Sequence, residues 1–359
     1  MAGFDPLRQI CREAVAGGLT PGLVVLVGQG ELDVFCEAFG LRQVDPLPAP
    51  ASNETVYDLA SLTKALVTSV LAMQAVASGR LGLDDPAPGT AGAGGATVRH
   101  LLAHASGLPA HRPFHASRPD RAGLVALAAA EPLVYTPGSR SLYSDLGFIL
   151  LGDLLERRLG DRLGALAERF IFGPAGTRTL SFPGPGDHET LAGQPVAPTE
   201  RCPVRGRLLV GEVHDLNAAA MEGEAGHAGL FGAAADVARL THALCAAFRG
   251  QAPSGRSPLV PAEVLRAFWR PAGIPGSHWR LGWDGPAPHG SLAGEVISRG
   301  AVGHLAFTGC SLWLDPEREA FVLVLANRVH PTVRDDPRYR TLRPALNDAA
   351  LTAIGYRAS

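Results

Sequence analysis

Apolar positions in this chain fall into two kinds of run. Near the start, "GLVVLVGQGELDVFCEAFG" holds two short stretches rich in β-branched and aromatic residues around a turn at Gly28–Gly30, which predicts a strand pair. Near the end, "SLWLDPEREAFVLVLANRV" repeats the pattern around "DPERE" and predicts a second hairpin. Between them the period becomes helical. "DLGFILLGDLLERRLG" (145–160) has apolar residues at 146, 149, 150, 154 and 155, one face of a helix. "DVARLTHALCAAFRG" (236–250) reads the same way. Further helices are predicted over 5–17, over the stretch that carries Lys64 and stops at Gly79, and over "RPALNDAALTAIGY". "VDPLPAP" and "LDDPAPGTAGAGGAT" (83–97) read as loops, 98–172 as mainly helical, and 173–225 as irregular.

Strands at both ends with helices between them do not make a βαβ alternation. The pattern predicts an α+β fold: an antiparallel sheet built from both chain termini and flanked by helices, with an inserted mainly helical region. The boundaries expected are 1–82 and 226–359 for the sheet domain and 83–225 for the insert.

Composition narrows the function classes. The 359 residues suggest about two domains. With 46% hydrophobic and 18% charged residues, the chain can bury a large core. A net charge of -2 without long charge runs gives no footprint for nucleic acid or an anionic membrane. Five scattered cysteines with no CxxC pair read as reduced thiols. The first residues, "MAGFDPLRQICREAVAGG", lack the apolar segment of a secretory signal, and Ala65–Ala77 is too short to span a bilayer. A soluble, cytoplasmic protein with a small-molecule substrate is therefore expected, without a nucleic-acid or membrane partner.

One residue then changes the picture. The chain has 32 Lys+Arg, and Lys64 in "DLASLTK" is its only lysine. Ser61 and Lys64 are i and i+3 on a helix and project from nearly the same face. Every other residue from Leu59 to Gly79 is uncharged, so this helix is expected to be buried nearly all round. Burial lowers a lysine's pKa. A neutral amine can take the serine proton, whereas a guanidinium stays protonated. A lysine near a helix start that merely extends its ammonium to solvent is the plain alternative.

Two further segments carry a resemblance. "PGSRSLYSDLGFILLG" holds Tyr143-Ser144-Asp145 before a helix, and "GHLAFTGCSLWLDP" holds His304 at the mouth of a late strand. With S-L-T-K they resemble the three motifs of the serine β-lactamase and penicillin-binding-protein superfamily, and most closely its class C-like serine hydrolase (esterase) branch. "RHLLAHASGLP" and "GHAGLFGAAADVARL" are also similar to recurring segments of that branch. The resemblance implies a site at the interface of sheet and insert, and no cofactor or metal. It implies Ser61 as acylated nucleophile, Lys64 as its base, and Tyr143 as a phenol sharing proton transfer. Asp145 stands where the family often has Asn, and His304 where many members have the Lys of K-T-G. The backbone N–H groups of Ser61 and Phe307 would form the oxyanion hole. Two departures stand out. His304-Leu305-Ala306 replaces H-T-G, and a register using Phe307-Thr308-Gly309 is also open. Asp145 would favour an ammonium on Lys64 and oppose burial, shifting the base role toward Tyr143.

The implied activity is hydrolysis through an acyl-enzyme, with small acyl esters favoured, and a D-alanyl or D-amino-acid peptidase or weak β-lactamase as the alternative. A non-catalytic, ligand-binding member of the family is a second alternative. Rival signals are weaker. His100 and His104 are i, i+4 and could face a metal, but helix packing and loop hydrogen bonding account for them better. "VHDLNA" invites a His214–Asp215 dyad with Ser106 or Ser311, yet no G-x-S-x-G elbow is present.

Overall fold

The computed structural model describes residues 3–90, 95–184, 186, 190–252 and 257–357. Residues 91–94 of the expected 83–97 loop lie outside them.

Ten strands are described: β1 (Gly22–Gln29), β2 (Leu32–Gln43), β3 (Ala49–Pro50), β4 (Tyr57–Asp58), β5 (Arg201–Cys202), β6 (Arg207–Leu208), β7 (Phe231–Gly232), β8 (Val302–Leu305), β9 (Ser311–Asp315) and β10 (Ala320–Ala326). Six form one sheet in the order β3-β2-β1-β10-β9-β8, with every pair antiparallel. The N-terminal and C-terminal hairpins meet where β1 pairs with β10, for example Val25 opposite Val324. The fold is α+β, as the two end hairpins imply.

The central strands are apolar without a break because both their faces are covered. Leu23, Val25, Val27, Val322 and Val324 pack against the helices Asp5–Ala16 and Tyr339–Ala353. Val24, Leu26, Leu323 and Leu325 face the other way, into a cluster that runs without a break through Leu66, Val70 and Met73 to Phe148 and Leu151. Each fully buried side chain of this kind contributes about 1.5–3 kcal/mol. The helix Ala234–Phe248 packs directly on this face of the sheet, and the apolar helix that follows Ser61 is buried within the same cluster, against the helix Asp145–Leu159.

Two expectations are refined in detail. The stretch 98–172 is mainly helical, as expected, but interrupted: helical segments cover Val98–Leu102, Phe114–Ser117, Arg121–Ala130, Asp145–Leu159, Leu163–Ala167 and Glu168–Phe172, while 131–144 and most of 103–120 are loop. Gly107, Pro109, Pro113, Pro119, Pro132, Pro137 and Gly138 break the backbone pattern there. Secondly, the Lys64 helix opens with a wide π turn, Lys64–Ser69, before its α-helical part Val70–Ala77. Among the described residues no helix is long and apolar enough to cross a membrane.

Candidate active site

The site is built outward from β4, which pairs with β7. Asp58, at the end of β4, is buried and splits its carboxylate between two N–H donors, Ala60 (2.8 Å) and His214 (2.7 Å). Burial raises its pKa despite these bonds. Ala60 follows at φ 44°, a strained left-handed conformation for a residue with a Cβ. The sharp turn delivers Ser61 to the mouth of the helix. Thr63 fastens the turn by donating to Ala60 O (2.6 Å) and accepting from Leu230 N (3.1 Å).

Ser61 Oγ lies 3.0 Å from Lys64 Nζ and 2.8 Å from the Tyr143 hydroxyl. The structure therefore brings together the three residues singled out from the motifs. Lys64 is fully buried and also reaches Asp145 Oδ1 (2.8 Å) and the carbonyl of His227 (2.8 Å). Burial is the largest single influence and pulls the lysine pKa down, but the Asp145 carboxylate and Tyr143 together outweigh it and the net direction is up. Asp145 is the mirror case: burial would raise it, and the Lys64 ammonium holds it well below the usual carboxylate range. Burial raises the Tyr143 phenol in spite of the neighbouring ammonium. The resting arrangement is an ammonium, a carboxylate and a neutral phenol around one hydroxyl.

Tyr143 and Asp145 are held by the start of the Asp145–Leu159 helix. Ser144 caps it, accepting from Gly147 N (3.3 Å) and donating to Pro109 O (2.7 Å). Asp145 occupies the first turn, where the helix dipole favours a negative charge. His111 Nδ1 lies 3.5 Å from its outer oxygen.

Residues 225–230 form a strap behind Lys64. Gly226 O accepts from Thr68 (2.6 Å), and His227 O accepts from Lys64. The strap passes so close to the helix that a Cβ on Gly226 would lie 2.2 Å from Phe148 O and 2.9 Å from Gly152 Cα. The His227 side chain is pinned by Asp215 (2.9 Å), which also caps the helix Leu216–Ala220. "VHDLNA" therefore does contain half of a His–Asp pair, with a different partner from the adjacent one. His214 pairs instead with Glu200 (3.2 Å) and stacks on Phe307.

The cleft lining is the one expected of the His304 register. Leu305, Ala306 and Phe307 line the cleft, whereas Thr308 is buried and donates to Asp58 O (2.8 Å). The N–H groups of Ser61 and Phe307 donate to no protein acceptor among the described residues, which leaves both free for an oxyanion. His304 differs from a lysine in more than charge. Its side chain is buried, its Nδ1 bonds Leu305 O (2.8 Å), and burial with nearby Lys64 pushes its pKa down to about 3. It supplies no cation to the cleft.

The cleft encloses about 690 Å³ and is also lined by His111, His115, Asp215, Trp279, Arg328 and Arg343. The two arginines escaped sequence reasoning because nothing distinguishes them among 31 arginines. Arg343 lies on the C-terminal helix, donates to Ala306 O (2.7 Å) and has a buried Nε without a partner. Neither arginine has a carboxylate within ion-pair distance among the described residues. His100 does not share a site with His104: its Nδ1 accepts from Thr97 N (3.2 Å), while His104 is buried among aromatic rings. No group of three or more His, Cys, Asp or Glu that could hold a metal occurs among the described residues.

Known proteins are similar to this chain. A "Putative D-alanyl-D-alanine carboxypeptidase" of Escherichia coli K12 is 30% identical over 329 residues, covering 80% of this chain and 72% of the relative. An N-acetylmuramyl-L-alanine amidase of Bacillus subtilis 168 is 27% identical over 376 residues, covering 91% and 81%. Among solved structures, EstCE1, a hydrolase with promiscuous acyltransferase activity, superposes with a TM-score of 0.73 at 21% identity, covering 96% of this chain and 97% of its own, which shows the shared fold. The Beta-lactamase family model matches residues 7–346. With that match across nearly its whole length, the chain belongs to the β-lactamase family and is a serine hydrolase.

Proposed function

We propose that the protein hydrolyses small acyl esters through an acyl-enzyme on Ser61. The observation that carries this is the placement of one serine hydroxyl within hydrogen-bond reach of both Lys64 and Tyr143 at a cleft with free N–H donors. Substrate carbonyl oxygen sits between the N–H groups of Ser61 and Phe307. Ser61 Oγ attacks the carbonyl carbon as its proton passes into the Lys64–Tyr143 pair. The tetrahedral oxyanion collapses, and the same proton is returned to the leaving group. Water then repeats the sequence on the acyl-enzyme and releases Ser61. Because Asp145 holds Lys64 as an ammonium, the pair has to lose one proton before it can accept one from Ser61. The phenolate–ammonium and phenol–amine forms are the two ways of sharing that loss. Neutral His304 suits uncharged acyl groups.

Cleavage of a small amide bearing a carboxylate, such as a D-alanyl peptide, is a second reading. Arg343 and Arg328, both lacking a carboxylate partner, favour it, and the names of the relatives agree. The test is a side-by-side panel of nitrophenyl esters, D-alanine amides and a chromogenic cephalosporin, with mass analysis of a fluorophosphonate adduct. Turnover of esters, an adduct on Ser61 and loss of both in Ser61→Ala are expected. Ser61→Ala should lower kcat by about 10³-fold or more. Activity retained by the pure variant would move the nucleophile elsewhere. No turnover and no adduct across the panel would favour a ligand-binding member without catalysis.

A further inference from the structure

We propose that His104 is the positioning residue of Tyr143, gripping the backbone on both sides of the phenol as the neutral Nε2–H tautomer; this rests on reading Tyr143 as part of the proton-transfer pair. Leu142 N donates to the His104 carbonyl (2.7 Å), and Ser144 N donates to His104 Nδ1 (3.1 Å). The residue between those two donors is Tyr143. The imidazole also packs against the face of the phenol at 4.5 Å between centroids, with Trp279 at 4.4 Å and Phe148 at 5.0 Å closing the box. One side chain and its own carbonyl thus fix position and tilt of the phenol.

The chemistry of the clamp dictates its protonation. Ser144 offers an N–H, so Nδ1 has to offer a lone pair, and the proton sits on Nε2. Nε2 is buried and meets no protein partner. An imidazolium would set N–H against N–H and release Ser144. Burial first, and the Lys64 charge second, keep His104 well below its ordinary pKa. The backbone is also specialised: His104 has φ 53°, a left-handed conformation in which Gly or Asn would be less strained than His. Its anchorage is firm, since its own N–H donates to Leu101 O (3.2 Å) at the end of the helix Val98–Leu102, and its carbonyl also accepts from Tyr135 (3.1 Å). The line from that helix through His104 to Tyr143 ends on Ser61.

The test uses two amides of different reach. Asparagine carries its oxygen the same number of bonds from Cα as Nδ1, and it tolerates the left-handed backbone. Glutamine carries it one bond further. His104→Asn is expected to keep kcat within about tenfold of the parent. His104→Gln is expected to lose about 10²-fold in kcat with KM changed little, as for a displacement of about 1 Å at a reacting group. Melting curves check that both fold. In a Tyr143→Phe background, His104→Gln should cost almost nothing further, because the group it positions is gone. Three results would overturn the clamp: full kcat in folded His104→Gln, equal damage in His104→Asn, or an undiminished further loss in the Tyr143→Phe background. Full activity of Tyr143→Phe alone would refute the role of Tyr143 itself, which is a separate failure.

Discussion

Lys64 Nζ meets Asp145 Oδ1 at 2.8 Å, and this contact, together with Tyr143, reverses the effect of complete burial on the lysine. A buried lysine without a counterion would become a ready base; this one is an ammonium until the Lys64–Tyr143 pair loses a proton. The sign for catalysis follows. The active form is the deprotonated one, so kcat/KM rises with pH through the apparent pKa of the pair and falls away on the acid side. Asp145→Asn removes the charge that favours the ammonium and leaves the desolvation in place. Its acid limb should therefore move to lower pH, by roughly 1–3 units for a contact of this kind. Full pH–rate profiles of both proteins check it. An unmoved limb would mean that the proton lost in activation is not governed by Asp145.

Lys64→Arg separates charge from proton transfer. The guanidinium keeps a cation beside Asp145 yet does not release its proton at accessible pH. If Lys64 relays a proton, the loss in kcat should approach that of Lys64→Ala, about 10³-fold or more. Much of the activity surviving in the arginine variant, measured with one nitrophenyl ester, would reduce Lys64 to an electrostatic support.

The parts legible in the sequence were those that write themselves as local pattern. The two end hairpins gave the sheet because their strands are apolar and β-branched, and Ser61–Lys64 emerged because a sole lysine lies at helical spacing from a serine in an uncharged stretch. Contacts between distant segments left no such trace. His227 meets Asp215 across a glycine-bordered strap, Asp145 meets both Lys64 and His111, and Arg343 arrives from the final helix. The rival His214–Asp215 reading failed for the same reason: neighbours along a loop need not face each other, and these two pair with Glu200 and His227 instead.

Gly226 tests whether the strap matters to Lys64. Gly226→Ala would force a methyl to 2.2 Å from Phe148 O, against backbone that is not free to swing aside. Overpacking of this kind costs about 1–3 kcal/mol. The strap should lift, carrying the His227 carbonyl away from Lys64 Nζ. A lower melting temperature is expected together with a fall in kcat larger than any change in KM. Loss of stability with unaltered kcat in the folded fraction would show that the His227 carbonyl does not hold the lysine in register.

The final expectation concerns which residue reads a substrate carboxylate. The third motif points to His304, but a buried imidazole with its Nδ1 bonded to Leu305 O carries no charge near neutral pH. The cations at that end of the cleft are Arg343 and Arg328. Arg343→Met keeps the length of the stem and removes the guanidinium. A charge-assisted hydrogen bond contributes roughly 1.5–3 kcal/mol. The ratio of kcat/KM for a carboxylate-bearing substrate over a neutral ester should then fall by about ten- to a hundredfold. His304→Lys should not raise that ratio to match. It would bury a second ammonium beside Lys64, where burial without a counterion is costly, so reduced stability and a general loss of activity are expected. Measuring both substrates in both variants separates the two positions. A ratio untouched by Arg343→Met but raised by His304→Lys would return carboxylate recognition to the third motif and leave the arginines a packing role.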